Sequence, residues 1–136
     1  MITTYSDGGA RGNPGPAAIG VVAYEDGKII ERDNEFLGVA TNNQAEYRAI
    51  TRALEIAAEH GKEVKCYLDS QLVVRQLNGE YAIRDEELIE LHAKLKKVES
   101  RLEKVEYIHV RREDRGMQEA DRLVNEALDK EESPKT

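Results

Sequence analysis

The sequence predicts one α/β domain built on a mixed five-stranded sheet with helices on its faces, and three observations lead there. The first part of the chain reads as three strand-like runs joined by two short glycine-containing links, the pattern of an antiparallel meander. After Leu37 the apolar period lengthens and strand-like runs alternate with helical ones, which implies parallel crossovers. A chain of 136 residues with 40% hydrophobic content suffices for one buried core and is too short for two ordinary domains.

Each element follows in order. Ile2-Thr3-Thr4-Tyr5-Ser6-Asp7 alternates and stops at Gly8-Gly9, so a first strand over 2–7 is expected to end with Asp7 at its carboxyl edge. Residues 8–16 hold four glycines and two prolines and are read as a loop. A second strand spans 17–24, Glu25-Asp26-Gly27-Lys28 supplies turn chemistry, and a third strand spans 29–37. Residues 42–60 form a helix in which Ala49, Ile50, Ala53 and Ala57 lie three, four, seven and eleven positions after Glu46, so Glu46 shares their inward stripe. A strand over 64–69 ends at Asp69, and Ser70-Gln71 opens a helix over 70–78. A long charged helix over 86–103, a strand over 105–110 and a helix over 117–129 complete the domain. In the last helix Val124 and Leu128 fall three and seven positions after Asp121. The sheet combines antiparallel strands 1–3 with parallel strands 1, 4 and 5. Residues 1–129 are assigned to the domain and 130–136 to a disordered tail.

Composition narrows the function. A net charge of −7 leaves no basic footprint at whole-chain level, so any nucleic-acid contact must be local. The single cysteine, Cys66, falls inside a strand, which removes disulfide frameworks and thiol metal sites and suits a reducing compartment. Neither a signal-type N-terminus nor a long apolar run is present, so a cytoplasmic protein without membrane insertion is expected.

Four acids carry the chemistry. Asp7, Glu46, Asp69 and Asp121 stand at strand ends or on apolar helix faces, positions that normally exclude charge. One such carboxylate can snorkel or pair with arginine. Four together point to a bound metal ion.

The segment from Asp7 to Pro16 is glycine-rich, but no Gly-Lys-Ser/Thr follows and it leads into a strand, which argues against a nucleotide P-loop. Gly8 and Gly9 either serve a turn or let a substrate backbone approach a metal held by Asp7. Thr41-Asn42-Asn43-Gln44 contains a helix cap, and its remaining amides suit a phosphate or a 2′-hydroxyl. His60, at a helix end, reads as a C-terminal cap. His92 and His109 have no second histidine or cysteine at zinc spacing, and no serine sits in a nucleophile elbow.

Over nearly its whole length the chain resembles type 1 ribonuclease H. The resemblance rests on Asp7-Gly8-Gly9 with Gly12-Asn13-Pro14-Gly15-Pro16, on Thr41-Asn42-Asn43 before Ala45-Glu46, on Leu68-Asp69-Ser70-Gln71, and on Ala120-Asp121. It implies a ribonuclease H-like fold and an endoribonuclease that cuts the RNA strand of RNA–DNA hybrids, leaving 3′-hydroxyl and 5′-phosphate ends. It further implies two Mg²⁺ ions, with Mn²⁺ as a substitute, held by Asp7, Glu46, Asp69 and Asp121. In that scheme Asp7 bridges the ions, Asp69 and Asp121 complete one side each, and Glu46 acts near the leaving group. Gly8, Asn13, Asn43 and Gln71 would sense 2′-hydroxyls beside Ser70, while Thr41 and Asn42 would sit near a DNA phosphate. Arg11, Arg75 and Arg84 are candidate backbone contacts.

The chain departs from the family in two places. The basic protrusion of many bacterial members is absent, since Asn78-Gly79-Glu80-Tyr81 leads directly toward an acidic helix start. The loop Arg111-Arg112-Glu113-Asp114-Arg115-Gly116-Met117-Gln118-Glu119 also lacks the family's histidine. Arg112 is the candidate substitute, and Asp114 competes with Asp121 as fourth ligand. Two other classes stay open: a non-catalytic nucleic-acid-binding domain, and a resolvase or integrase-like nuclease of the same fold. The expected protein is a monomer.

Overall fold

A computed structural model describes residues 1–132. Its elements are β1 (Ile2–Ala10), β2 (Gly15–Glu25), β3 (Lys28–Ala40), α1 (Asn42–His60), β4 (Glu63–Leu68), α2 (Gln71–Leu77), α3 (Glu86–Glu99), β5 (Lys104–His109) and α4 (Arg115–Glu132). The sheet order is β3-β2-β1-β4-β5. β1, β2 and β3 pair antiparallel, whereas β4 runs parallel to both β1 and β5. The expected mixed sheet is therefore the observed one.

Side-chain alternation assigns the two faces. Ile2, Thr4, Ser6 and Gly8 of β1, with Val64, Cys66 and Leu68 of β4, point under α1, α2 and α3, where Tyr47, Ile50, Leu54, Val73, Leu77 and Leu95 fill the main core. Cys66 is fully buried there, and burial pushes its thiol up to about 12, so it is a packing residue rather than a reactive one. On the opposite face Ala18 of β2 and Phe36 of β3 pack against Val124, Ala127 and Leu128 of α4.

Two glycines set how close the helices come. A Cβ at Gly8 would stand 2.2 Å from the Ala45 carbonyl carbon, so α1 lies directly on β1. A Cβ at Gly20 would stand 2.2 Å from the Ala120 carbonyl oxygen, so α4 lies equally close on β2. These contacts bring the helices that carry Glu46 and Asp121 to opposite faces of the strand that carries Asp7.

Several boundaries differ from expectation. β1 does not stop at Asp7: it continues to Ala10, paired with Ala17, because α1 needs Gly8 beneath it and the extended backbone keeps its ladder with β2. The glycine-rich loop shrinks to 11–14. α3 ends at Glu99 rather than near 103, where the Ser100 hydroxyl donates to the Lys97 carbonyl at 2.6 Å and the chain turns. α4 begins at Arg115 and runs to Glu132, so 130–132 belong to the helix and not to a tail. The rest of that expected tail, 133–136, lies outside the described residues.

Candidate active site

The β1–β4 register places two of the four acids side by side. Tyr5 pairs with Tyr67, the last pair between these strands, and their rings stack with centroids 5.0 Å apart. Two residues further along each strand direction, on the same face, come Asp7 and Asp69. β4 ends at Leu68, and Ser70 caps α2 by accepting from the Val73 N–H at 3.3 Å, which fixes Asp69 at the strand-to-helix switch expected for it.

Glu46 arrives from α1. The helix starts with a reciprocal cap: Thr41 Oγ1 accepts from the Gln44 N–H at 3.1 Å, and Gln44 Oε1 accepts from the Thr41 N–H at 3.0 Å. Glu46 lies in the second turn and is only 7% exposed. Its Oε1 accepts from the Gly8 N–H at 3.4 Å, a long bond, and its buried Oε2 has no hydrogen-bond partner among the described residues. The adjacent Asp7 carboxyl is itself an acceptor unless it carries a proton. Carboxylate oxygens of Asp7, Glu46 and Asp69 lie within 4.8 Å of one another.

Asp121 joins from the other side but less closely. α4 buries Ala120, Leu123, Val124, Ala127 and Leu128, and Asp121 is exposed on the flank of that stripe, a correction to its expected inward position. One residue of helix turns the side chain by about 100° from Ala120, which aims it across the cleft. It is near enough to Asp7 to raise that carboxyl's pKa, yet it is not in the three-acid group. Its rival Asp114 lies outside the cleft and caps α4, accepting from the Gly116 N–H at 2.8 Å.

Charge repulsion and burial dominate the electrostatics. Burial first, then Asp69, push the Asp7 carboxyl from 3.8 to about 7, with Asp121 adding to the rise. Burial likewise holds Glu46 well above the carboxylate range, with Asp7 and Asp69 adding to the effect. An unpartnered buried carboxylate oxygen amid converging acids is the environment a hard divalent cation relieves, and an all-oxygen donor set suits Mg²⁺ or Mn²⁺.

The cleft, of about 460 Å³, is lined by all four acids and by Gly8, Asn42, Asn43, Ser70 and Arg112. Arg112 Nε stands 3.6 Å from Asp69 Oδ2, with its side chain 85% exposed. Asn13, Thr41 and Gln71 do not line it. Asn13 Oδ1 accepts from the Asn42 N–H at 3.1 Å, Thr41 is consumed in the cap, and Gln71 is exposed at the start of α2. Arg11 does line the cleft, but it is not a free backbone contact: its guanidinium donates to Asn125, Asp129 and Glu132 of α4. Arg75 donates to the Tyr81 hydroxyl at 2.8 Å, and Arg84 is exposed. Asn125 is the cleft residue that sequence reasoning missed. A second group, Glu31, Glu59 and His60, lies apart from the cleft, and Arg52 balances Glu31 at 3.6 Å.

Comparison with known proteins adds to this geometry. Residues 5–127 match the family described as Reverse transcriptase-like. The chain is 41% identical over 130 residues to Ribonuclease HI of Halobacterium salinarum, covering 94% of this chain and 64% of that protein. It is 35% identical over 131 residues to the Bifunctional protein Rv2228c of Mycobacterium tuberculosis, covering 94% of this chain and 35% of that one. It thus spans less than two thirds of either relative's length. Among solved structures, LC11-RNase H1, isolated from compost and crystallised with an RNA/DNA hybrid, superposes with a TM-score of 0.91 at 41% identity, covering 98% of this chain and all of that one.

Proposed function

Because the chain belongs to the type 1 ribonuclease H family, we propose that it is an endoribonuclease that hydrolyses the RNA strand of RNA–DNA hybrids, leaving 3′-hydroxyl and 5′-phosphate ends. The observation that carries this reading is the convergence of Asp7, Glu46 and Asp69 around an unpartnered Glu46 Oε2 in an open cleft. The hybrid bound to LC11-RNase H1 supports the substrate class.

In this reading Asp7, Glu46, Asp69 and Asp121 hold two Mg²⁺ ions, or Mn²⁺ in their place. When bound, the ions supply an activated water and neutralise charge on the phosphoryl group and leaving oxygen. Asp7, which feels both Asp69 and Asp121, would hold cation together with either of them, and Glu46, only 7% exposed, would offer its carboxylate with little competition from solvent. Asn42, Asn43 and Ser70 offer neutral donors and acceptors along the cleft wall, a chemistry suited to sugar hydroxyls, the groups that separate RNA from DNA. Arg112 reaches Asp69 from solvent, and its permanent positive charge is placed to meet the product phosphate as it leaves. No helix among the described residues is long and apolar enough to cross a membrane. The reading places the protein, as a monomer, in the reducing cytoplasm.

The test is cleavage of labelled hybrid, duplex RNA, single-stranded RNA and branched DNA with Mg²⁺, with Mn²⁺ and with EDTA. Cation-dependent cutting of the hybrid is expected. Cutting of branched DNA instead would assign the chain a resolvase-like role.

A further inference from the structure

Arg11 sits in the short β1–β2 loop and lines the cleft. One guanidinium nitrogen donates to Glu132 Oε2 at 2.7 Å, and the other donates to Asp129 Oδ1 at 2.7 Å and to Asn125 Oδ1 at 3.1 Å. Asn125 in turn donates through Nδ2 to the Asp121 carbonyl at 3.0 Å. The end of β1 and the same loop are fastened to α1: the Ala10 N–H donates to Asn42 Oδ1 at 2.8 Å, and Asn13 Oδ1 in the loop accepts from the Asn42 N–H. The loop therefore joins the start of the helix carrying Glu46 to the far half of the helix carrying Asp121.

α4 needs such a tie. Its other anchors all face β2 and β3: Val124, Ala127 and Leu128 pack on Ala18 and Phe36, the Ala120 backbone lies against Gly20, the Leu123 carbonyl accepts from Asn34 Nδ2 at 2.9 Å, and Glu119 accepts from Arg32 at 3.0 Å. Arg11 holds the flank of α4 that faces the cleft, through Asn125, Asp129 and Glu132; rotation of the helix about its own axis on the apolar seat would swing Asp121 relative to Asp7. We propose that Arg11 is a positioning residue which, by locking the β1–β2 loop onto the last turns of α4, sets the separation of Asp121 from Asp7 and so the cleft's affinity for divalent cation. This rests on the reading that the four acids hold the cation.

A guanidinium fork on three oxygen acceptors gives directional as well as electrostatic restraint. Asp129 and Glu132 are 69% and 50% exposed, so the ion pairs add little to global stability. Their effect is on geometry. That distinguishes the role from ordinary surface charge pairing and from direct contact with a nucleic-acid backbone.

The experiment measures Mn²⁺ binding to the substrate-free protein by calorimetry for wild type, Arg11→Ala, Arg11→Lys and the Asp129→Ala/Glu132→Ala pair. Melting curves are recorded alongside, and hybrid KM is measured at saturating Mg²⁺. The proposal expects Arg11→Ala and the acid pair each to weaken Mn²⁺ by about tenfold, the low end for supporting partners of metal ligands. Arg11→Lys should recover part of the loss, combining the changes should add nothing further, and hybrid KM at saturating cation should stay near wild type. Unchanged Mn²⁺ affinity in either folded variant overturns the proposal. So does a rise in hybrid KM for Arg11→Ala with a fall for the acid pair, the signature of a direct phosphate contact. If wild type binds no Mn²⁺, the metal reading of the cleft fails, and this inference with it.

Discussion

Gly8 lies so close to Ala45 that a Cβ on it would stand 2.2 Å from the Ala45 carbonyl carbon and 2.5 Å from the Glu46 amide nitrogen. The absent side chain admits α1, and with it Glu46, to the edge of β1. Gly8→Ala should therefore lower stability by about 1–3 kcal/mol, the usual cost of overpacking, and reduce turnover because Glu46 is displaced. Gly9→Ala, which would meet only Val124 Cγ1 at 3.7 Å, should be close to neutral in stability. Chemical denaturation of both variants checks this, and a fully stable Gly8→Ala protein would contradict it.

Without cation, stability should fall as pH rises from about 4 to about 7. Across that window the folded chain keeps a proton on Asp7 that the unfolded chain releases, since burial and Asp69 raise the folded value from 3.8 to about 7. The stabilisation is fully present below 3.8 and lost as pH passes the folded value, at about 1.4 kcal/mol per pH unit for one proton. Glu46, raised in the same direction, steepens the trend. Asp7→Asn should flatten it. Cation reverses the dependence, because only ionised carboxylates ligate: the rise in melting temperature on adding Mg²⁺ should be larger at pH 8 than at pH 5.5. Melting curves across pH with Mg²⁺ or EDTA measure both.

Asp69→Asn and Asp121→Asn should each cost about 10²–10³-fold or more in turnover, the scale of removing a group that stabilises transition-state charge. Neither should lower the melting temperature in EDTA, because each removes repulsion on Asp7. A clear loss of stability in both would mean that these acids hold the fold together instead of a cation.

Arg112→Ala should reduce kcat about tenfold with hybrid KM and stability little changed. Its pair with Asp69 is 3.6 Å long and its side chain 85% exposed, which makes the structural contribution small. Steady-state kinetics beside a melting curve separate the two effects, and unchanged kcat would leave Arg112 as ordinary surface charge.

Much of the fold was legible because alternation in β1 and β4, the continuous apolar run of β2 and the stripe of α1 are local patterns. The extension of β1 to Ala10 was not, since Gly8 and Gly9 have no side chains to alternate and their reason for being glycine lies in α1. Ser100, Arg101 and Leu102 contain no helix breaker, so the end of α3 at Glu99 had no local signal. For the site, Glu46 among alanines and Asp69 before a helix cap stand out within a few residues of sequence. Asp121 occupies the flank of its stripe, where periodicity cannot distinguish inward from sideways. Arg11 was harder still: its acceptors lie 114 to 121 residues away, and an arginine in a glycine-rich loop resembles any solvated charge.

On the proposed function, the acids of this cleft hold the cations with which RNA paired to DNA is cut. The most direct test incubates end-labelled RNA annealed to DNA with wild type or Asp69→Asn protein, in Mg²⁺ and in EDTA, and identifies the ends produced. Wild type should give 5′-phosphate and 3′-hydroxyl products with Mg²⁺ and none in EDTA, and Asp69→Asn should give none in either. A folded wild-type protein that binds the hybrid yet leaves its RNA intact in both Mg²⁺ and Mn²⁺ would contradict the proposed function and make this chain a binding domain.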